Sequence, residues 1–167
     1  MPSSSYTLKV LQASIAADPQ RWRPLVFTNG CFDLLHAGHV RYLQVAKSLG
    51  RTLVVGVNSD RSVQAIKPQA IGLPPRPIVP EQQRAEVLAA LRAVDGVVIF
   101  AETTASELIM ALQPDIYAKG GDYKIETLPE AAIVQSYGGR VELIQIEVPS
   151  STSAIVNRIL TTGQAKL

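Results

Sequence analysis

Apolar residues recur along this chain with two alternating periods. Leu8, Leu11 and Ile15 lie at near-helical spacing behind a run of serines that can cap, and Asp18-Pro19 stops the pattern, which predicts an opening helix within residues 5–17. Leu25-Val-Phe-Thr-Asn29 then reads as a short strand ending at Gly30, and Val40, Leu43, Ala46 and Leu49 mark a helix closed by Gly50. Thr52 to Val57 is a nearly continuous apolar run, as expected of a strand covered on both faces. Residues 59–67 predict a short helix that must end before Pro68.

Between residues 68 and 80, five prolines and one glycine exclude regular structure and predict a long loop. Loops of this length are commonly functional. The helical period returns with Val87, Leu88, Leu91 and Val94, followed by a strand at Val97 to Phe100, a helix near Ser106 to Leu112 and a strand at Ile116 to Ala118. A helix near Glu130 to Tyr137 ends at Gly138-Gly139, Val141 to Ile146 predicts another strand, and Ser153 to Leu160 a closing helix. Five strand candidates alternating with helices predict an α/β fold, a single Rossmann-like open parallel sheet of about five strands with helices on both faces and right-handed crossovers. No repeat or linker divides the chain. Residues 1–167 therefore read as one domain, with 1–23 as helix and lead-in and 24–160 as the core. In such sheets ligands bind outside the carboxyl ends of the strands, where the strand order reverses.

Composition narrows the partners. With 47% hydrophobic and 18% charged residues the chain is ordinary globular material, and a formal charge of +2 without a basic run offers no footprint for nucleic acid. The single cysteine, Cys31, cannot form an internal disulfide. The opening residues lack a basic start and a long apolar stretch, and no window approaches a membrane span, so a cytoplasmic location without a membrane partner is the expectation.

The candidate chemistry lies in Thr28-Asn-Gly-Cys-Phe-Asp-Leu-Leu-His-Ala-Gly-His39, which joins the first strand of the predicted core to a helix. A helix start offers unpaired N–H groups and a positive dipole end, and Gly30 and Gly38 allow close backbone approach, which together suit a phosphate. His36 and His39, the only histidines, are three residues apart and can share one side of the first turn. Two imidazoles there can donate to phosphate oxygens as charge builds during transfer. Two surface histidines, or a zinc site using Cys31, His36 and His39, are the alternatives; the zinc site lacks an obvious fourth ligand, and no metal-binding residue is assigned.

Strand, Asn-Gly-Cys-Phe-Asp and then H-x-G-H resembles the signature of the cytidylyltransferase-like nucleotidyltransferases. Val57-Asn-Ser-Asp60, Arg84, Ala93-Val-Asp95, Lys119-Gly-Gly-Asp-Tyr123 and Ser151-Thr-Ser153 follow in that family's order, over roughly residues 24–160. FTNGCFDLLHAGH, VNSD and KGGDY are most similar to the branch that transfers AMP from ATP to D-glycero-β-D-manno-heptose 1-phosphate. That branch is fused to a sugar kinase in many bacteria. Gln82 stands where the family commonly has glutamate, and the Pro-rich loop is longer than the family's; both bear on the choice of acceptor.

The resemblance implies an enzyme with ATP and a sugar phosphate as partners, Mg²⁺ carried on the triphosphate, and possible homo-oligomers. Its catalytic residues are His36, His39, Lys67 and Arg84. Arg84, in the first turn of a helix, opposes the dipole unless an anion pairs with it, which points to phosphate. Lys67, beside the Pro-rich loop, can reach the sugar phosphate or the triphosphate, whereas Lys47 reads as a surface lysine. Thr28, Asn29, Gly30, Cys31, Phe32, Gly38, Lys119, Gly120 and Asp122 are the expected nucleotide-binding residues, although Lys119 to Asp122 also suits a plain turn. Ser151, Thr152 and Ser153 can both cap a helix and hold the β- and γ-phosphates. Asp33, Asn58, Asp60 and Lys67 are the acceptor candidates, with an Asx turn the other account of Asp33 and Asp60. A CTP-dependent transferase acting on glycerol 3-phosphate or a related polyol phosphate is the neighbouring alternative, and a non-catalytic nucleotide-binding module the alternative of another class. A dinucleotide-dependent oxidoreductase is disfavoured because no G-x-G-x-x-G follows the first strand.

Overall fold

The computed structural model describes residues 5–67, 69, 71–121, 124–145 and 151–164. Along these the chain forms β1 (Ser5–Tyr6), α1 (Leu8–Ala17), α2 (Pro19–Trp22), β2 (Leu25–Gly30), α3 (Ala37–Ser48), β3 (Thr52–Asn58) and α4 (Asp60–Ile66). It continues with α5 (Glu81–Ala89), β4 (Gly96–Phe100), α6 (Ser106–Leu112), β5 (Ile116–Gly120), a 3-10 turn at Ile125–Thr127, α7 (Ala131–Ser136), β6 (Arg140–Ile144) and α8 (Thr152–Gln164). Helix starts follow their local chemistry. Thr7 Oγ1 accepts from Val10 N–H at 3.3 Å, Asp18 Oδ1 from Arg21 N–H at 3.0 Å with Pro19 in the first turn, and Ser59 Oγ from Ser62 N–H at 3.1 Å.

The strands pair in parallel in one sheet with the order β1-β4-β3-β2-β5-β6. The sheet thus has six strands where the apolar pattern predicts about five. The extra one, β1, pairs Ser5 with Val97 and Tyr6 with Val98. Two residues cannot display a period, and what holds them is tertiary: the Tyr6 ring meets Trp22 edge-on at 6.0 Å. The expected opening helix accordingly starts at Leu8, and the short α2 follows the Asp18-Pro19 break.

Strand β2 shows why the sheet is covered twice. Val26 faces a core with Leu43 and Ala46 of α3 and Leu88 of α5, whereas Leu25 and Phe27 face a second core with Leu11 of α1, Leu108, Ile109 and Leu112 of α6 and Val134 of α7. Every residue of β3 is buried, as its unbroken apolar run predicts. Each fully buried Leu, Val or Phe is worth about 1.5–3 kcal/mol relative to an exposed one, so the central strands form a firm base for the loops above them.

Topology then fixes the ligand edge. The chain steps from β2 to β3 to β4 on one side and crosses back over β2 to lay down β5 and β6 on the other. The carboxyl ends of β2 and β5 flank this reversal, where loops diverge and leave a crevice.

Candidate active site

A cleft of about 900 Å³ opens at that reversal, and most of the residues singled out in the sequence line it. From the β2–α3 connection come Asn29, Gly30, Cys31, Phe32, Asp33, His36, Gly38 and His39; from β3 and the end of α4, Asn58 and Lys67; from β5, Lys119 and Gly120; and from the start of α8, Ser151, Thr152 and Ser153. Asp122 lies outside the described residues.

The start of α3 is uncapped and opens on the cleft. His36 occupies the N-cap position with extended backbone (φ −142°, ψ 171°), yet its side chain makes no capping hydrogen bond. Its imidazole instead lies against that of His39, with ring centroids 3.9 Å apart and planes tilted by 32°. Nδ1 of each ring is buried and has no hydrogen-bond partner among the described residues. Burial pushes the pKa of His36 below the ordinary histidine value, and burial together with the neighbouring His36 lowers that of His39 to about 4. Both rings are therefore neutral near pH 7 in the ligand-free protein, waiting beside open N–H groups of the helix.

Packing aims this pair. Phe32 has left-handed backbone (φ 46°), uncommon for a bulky residue, and its ring backs His39 at 5.5 Å. A Cβ on Gly30 would approach that ring to 3.0 Å, so glycine there leaves room for the support of His39. Gly120 does the same for Tyr42, whose ring a Cβ would meet at 2.9 Å. Tyr42, absent from the sequence expectations, fastens the cleft floor: its hydroxyl lies 2.7 Å from Thr28 Oγ1 and donates to the Ala118 carbonyl at 3.0 Å, joining α3, β2 and β5.

Thr28, Asp60 and Arg84 do not line the cleft, and Asp33 lines it with its carboxylate already engaged. Thr28 is fully buried with its hydroxyl engaged by Tyr42, so it lies beneath the cleft floor and does not face into the cleft. Arg84, expected on the rim facing an anion, is only 2% exposed. It donates through Nε to the Val79 carbonyl at 2.8 Å, through Nη1 to the Cys31 carbonyl at 2.5 Å and through Nη2 to Asp60 Oδ1 at 2.8 Å. A carboxylate and two carbonyls replace the phosphate as the partners that offset its unfavourable place at a helix start. Asp60 is thereby committed to Arg84, while its own N–H donates to Glu81 Oε2 at 2.6 Å. Asp33 borders the cleft with its carboxylate turned to the exit of the Pro-rich loop, where it accepts from Ile78 and Val79 N–H and from Arg76.

The remaining groups are firmly held. Asn29 Oδ1 accepts from Tyr117 Oη at 2.7 Å and Lys119 Nζ at 3.3 Å, and burial lowers the pKa of Lys119 against the opposing pull of Glu130. Asn58 donates to Ser62 Oγ at 2.9 Å. Ser151 caps α8, accepting from Ala154 N–H at 3.1 Å, and Thr152 Oγ1 reaches the Leu34 carbonyl at 3.5 Å. Lys47 does not sit free on the surface: it pairs with Asp95 at 2.6 Å and ties α3 to the start of β3. Arg76, Thr103 and Glu130 also line the cleft and were missed in the sequence, because isolated polar residues in irregular segments carry no periodic or motif signal. Among the described residues no group of three or more His, Cys, Asp or Glu is arranged to hold a metal ion, and no helix is long and apolar enough to cross a membrane.

A doubly covered parallel sheet, a phosphate-ready helix start at its switch point and an H-x-G-H pair define a nucleotidyltransferase site. The Cytidylyltransferase-like family model matches residues 27–162, and the chain belongs to that family of nucleotidyltransferases. It is 53% identical over 151 residues to the "Bifunctional protein HldE" of Pelobacter propionicus and 51% identical over 150 residues to that of Syntrophotalea carbinolica. Each match covers 90% of this chain and 30% of the relative, so the chain spans about a third of the length of these curated relatives. Among solved structures, a lipopolysaccharide core biosynthesis protein from Thermoplasma volcanium superposes with a TM-score of 0.59 at 29% identity, over 75% of this chain and 97% of that one. Pantothenate synthetase from Thermus thermophilus, at 16% identity and a TM-score of 0.54, covering 85% of this chain and 60% of that one, shares the fold.

Proposed function

We propose that this chain transfers AMP from ATP to D-glycero-β-D-manno-heptose 1-phosphate, giving ADP-heptose and pyrophosphate. The observation that carries the reading is the pair of adjacent imidazoles, each with a buried Nδ1 that has no partner among the described residues, at the helix start in a cleft at the switch point. An oxygen of the acceptor phosphate attacks the α-phosphorus of ATP in line, the bond from that phosphorus to the bridging oxygen breaks, and pyrophosphate leaves with the electron pair. The acceptor oxygen is already ionised near neutral pH, so no general base is required. The work of the protein is to align two anions and to neutralise the charge that moves onto the leaving group.

His36, His39 and the first N–H groups of α3 suit the triphosphate, Lys119 and the glycines of β5 the nucleoside, and the start of α8 the outer phosphates. Mg²⁺ fits as an ion carried in on the triphosphate, held by phosphate oxygens and water, because the groups on this side are imidazoles, N–H donors, hydroxyls and an ammonium, which suit phosphate oxygens. When bound it supplies neutralisation of phosphate charge. The acceptor assignment rests on the motif set FTNGCFDLLHAGH, VNSD and KGGDY and is supported by the similarity to the HldE proteins and to the Thermoplasma protein of lipopolysaccharide core biosynthesis.

The deciding experiment measures pyrophosphate release with ATP or CTP, each paired with heptose 1-phosphate or glycerol 3-phosphate, in the presence of Mg²⁺. Turnover confined to ATP with the heptose phosphate is expected. Turnover with CTP and glycerol 3-phosphate replaces the substrate assignment, and silence in every pairing together with nucleotide binding favours a non-catalytic module.

A further inference from the structure

The Pro-rich segment between α4 and α5 delivers one cation to the cleft that the nucleotide-binding groups leave unused. Arg76 lines the cleft, with its side chain 18% exposed, and is fastened to Asp33 through Nε alone, at 2.5 Å from Oδ2. Its two outer nitrogens, Nη1 and Nη2, have no hydrogen-bond partner among the described residues. Asp33, whose side chain is completely buried, does not depend on this bond: Ile78 N–H donates to its two oxygens at 2.9 and 3.0 Å, and Val79 N–H to Oδ1 at 2.9 Å. The guanidinium is thus held by its inner edge, and its outer edge can engage a ligand while the carboxylate stays satisfied. A planar fork of this kind matches two oxygens of a phosphate monoester, which an ammonium cannot do.

Topology decides which phosphate it meets. Lys119 and Gly120 lie on the β5–β6 side of the central strand, the side suited to the nucleotide. Arg76 comes from the other side, with Asn58 at the end of β3, Lys67 at the end of α4 and Thr103 beyond β4. Resting on the nucleotidyl-transfer reading, we propose that Arg76, with Lys67 beside the same loop, grips the phosphate of the acceptor and makes the site selective for a phosphorylated acceptor. The long Pro-rich loop is then the arm that presents this fork, and the Asp33 carboxylate is its mount.

Arg76→Gln and Arg76→Lys test this against wild type, with KM measured separately for heptose 1-phosphate and ATP and with calorimetric titration of heptose 1-phosphate as a direct readout. Arg76→Gln is expected to raise the acceptor KM and Kd by roughly 10–100-fold, as loss of a bidentate charged contact does, with the ATP KM within about twofold. Arg76→Lys keeps the charge but not the fork and is expected to recover only part of the loss. A role confined to anchoring the loop predicts instead a lowered Tm and equal rises in both KM values. An active wild type with an unchanged acceptor KM in Arg76→Gln, or that equal rise, overturns the Arg76 assignment alone. A wild type that neither turns over nor binds a phosphorylated acceptor overturns the nucleotidyl-transfer reading and this assignment together.

Discussion

Two segments frame the cleft and differ in what their polar groups are doing. The β2–α3 connection carries two buried imidazole nitrogens with no partner among the described residues, at a helix start that lines the cleft. The region from α4 to α5 carries Asp60 and Arg84, whose charges meet each other at 2.8 Å, with the rest of the guanidinium taken by Val79 and Cys31 carbonyls. A buried polar group without a protein partner costs free energy, and where it borders an open cleft a ligand or water can supply the missing bond. A buried guanidinium with each of its three nitrogens engaged by protein marks a joint. The first segment leaves polar groups open to the cleft, whereas the second, Arg76 and Lys67 apart, spends its charges on holding residues 31, 60 and 79 in register.

Substitution separates the two most sharply. His39→Ala is expected to lower kcat by about 10²–10³-fold, the usual cost of removing a donor from a site of developing charge, with Tm nearly unchanged because the imidazole makes no hydrogen bond through Nδ1. Arg84→Ala is expected to do the reverse in emphasis. It strands Asp60 and two carbonyls and costs about 3 kcal/mol of folding stability, seen as a large drop in Tm, with the remaining folded protein impaired in proportion to the loosened loops. Kinetics and thermal denaturation on both variants decide the matter. An Arg84→Ala protein of wild-type Tm with an abolished kcat breaks the contrast and returns Arg84 to the substrate.

Legibility followed the same division. The central strands, the helices that cover them and the H-x-G-H loop were all readable, since period and a compact motif are local signals and β3 is buried throughout as its apolar run implies. Strand β1 was not, because its two residues exist as a strand only by pairing with Val97 and Val98. Arg84 was visible as a position but not as a role. The partners that occupy it lie at residues 31, 60 and 79, and no spacing rule connects them. Tyr42 read as one more side chain on α3, and only the tertiary fold brings its hydroxyl to Thr28 and Ala118.

Tyr42 offers a finer version of the comparison, because it belongs to the histidine-bearing helix yet behaves as scaffold. Tyr42→Phe removes one hydroxyl and leaves the Thr28 hydroxyl and the Ala118 carbonyl short of a partner, at a cost of about 1–2 kcal/mol. The expected readout is a Tm lowered by a few degrees with kcat within a few-fold of wild type. A loss of kcat as large as that of His39→Ala would mean that the floor of the cleft acts directly on the reaction.

The smallest effect concerns protons. In the unfolded chain His39 takes up a proton as the pH falls through its ordinary value of 6.5, while in the folded protein burial and the adjacent His36 postpone that uptake to about 4. Between these values the unfolded state binds more protons, so this ring contributes a loss of stability as the pH drops from 6.5 toward 4 and none above 6.5. The ring remains partly open to solvent, which makes the slope shallow. Thermal denaturation across this window is expected to show a flatter decline for His39→Gln than for wild type, whereas Arg84→Lys, far from the imidazoles in role, keeps the wild-type slope. A bound triphosphate analogue acts in the opposite sense, because an anion beside the rings favours their protonated form, and nucleotide binding near pH 6 should therefore take up protons measurable as a buffer-dependent heat. Equal slopes in wild type and His39→Gln, with no proton uptake on binding, would show that the histidine pair is not the element open to a ligand and that the contrast between the two segments lies elsewhere.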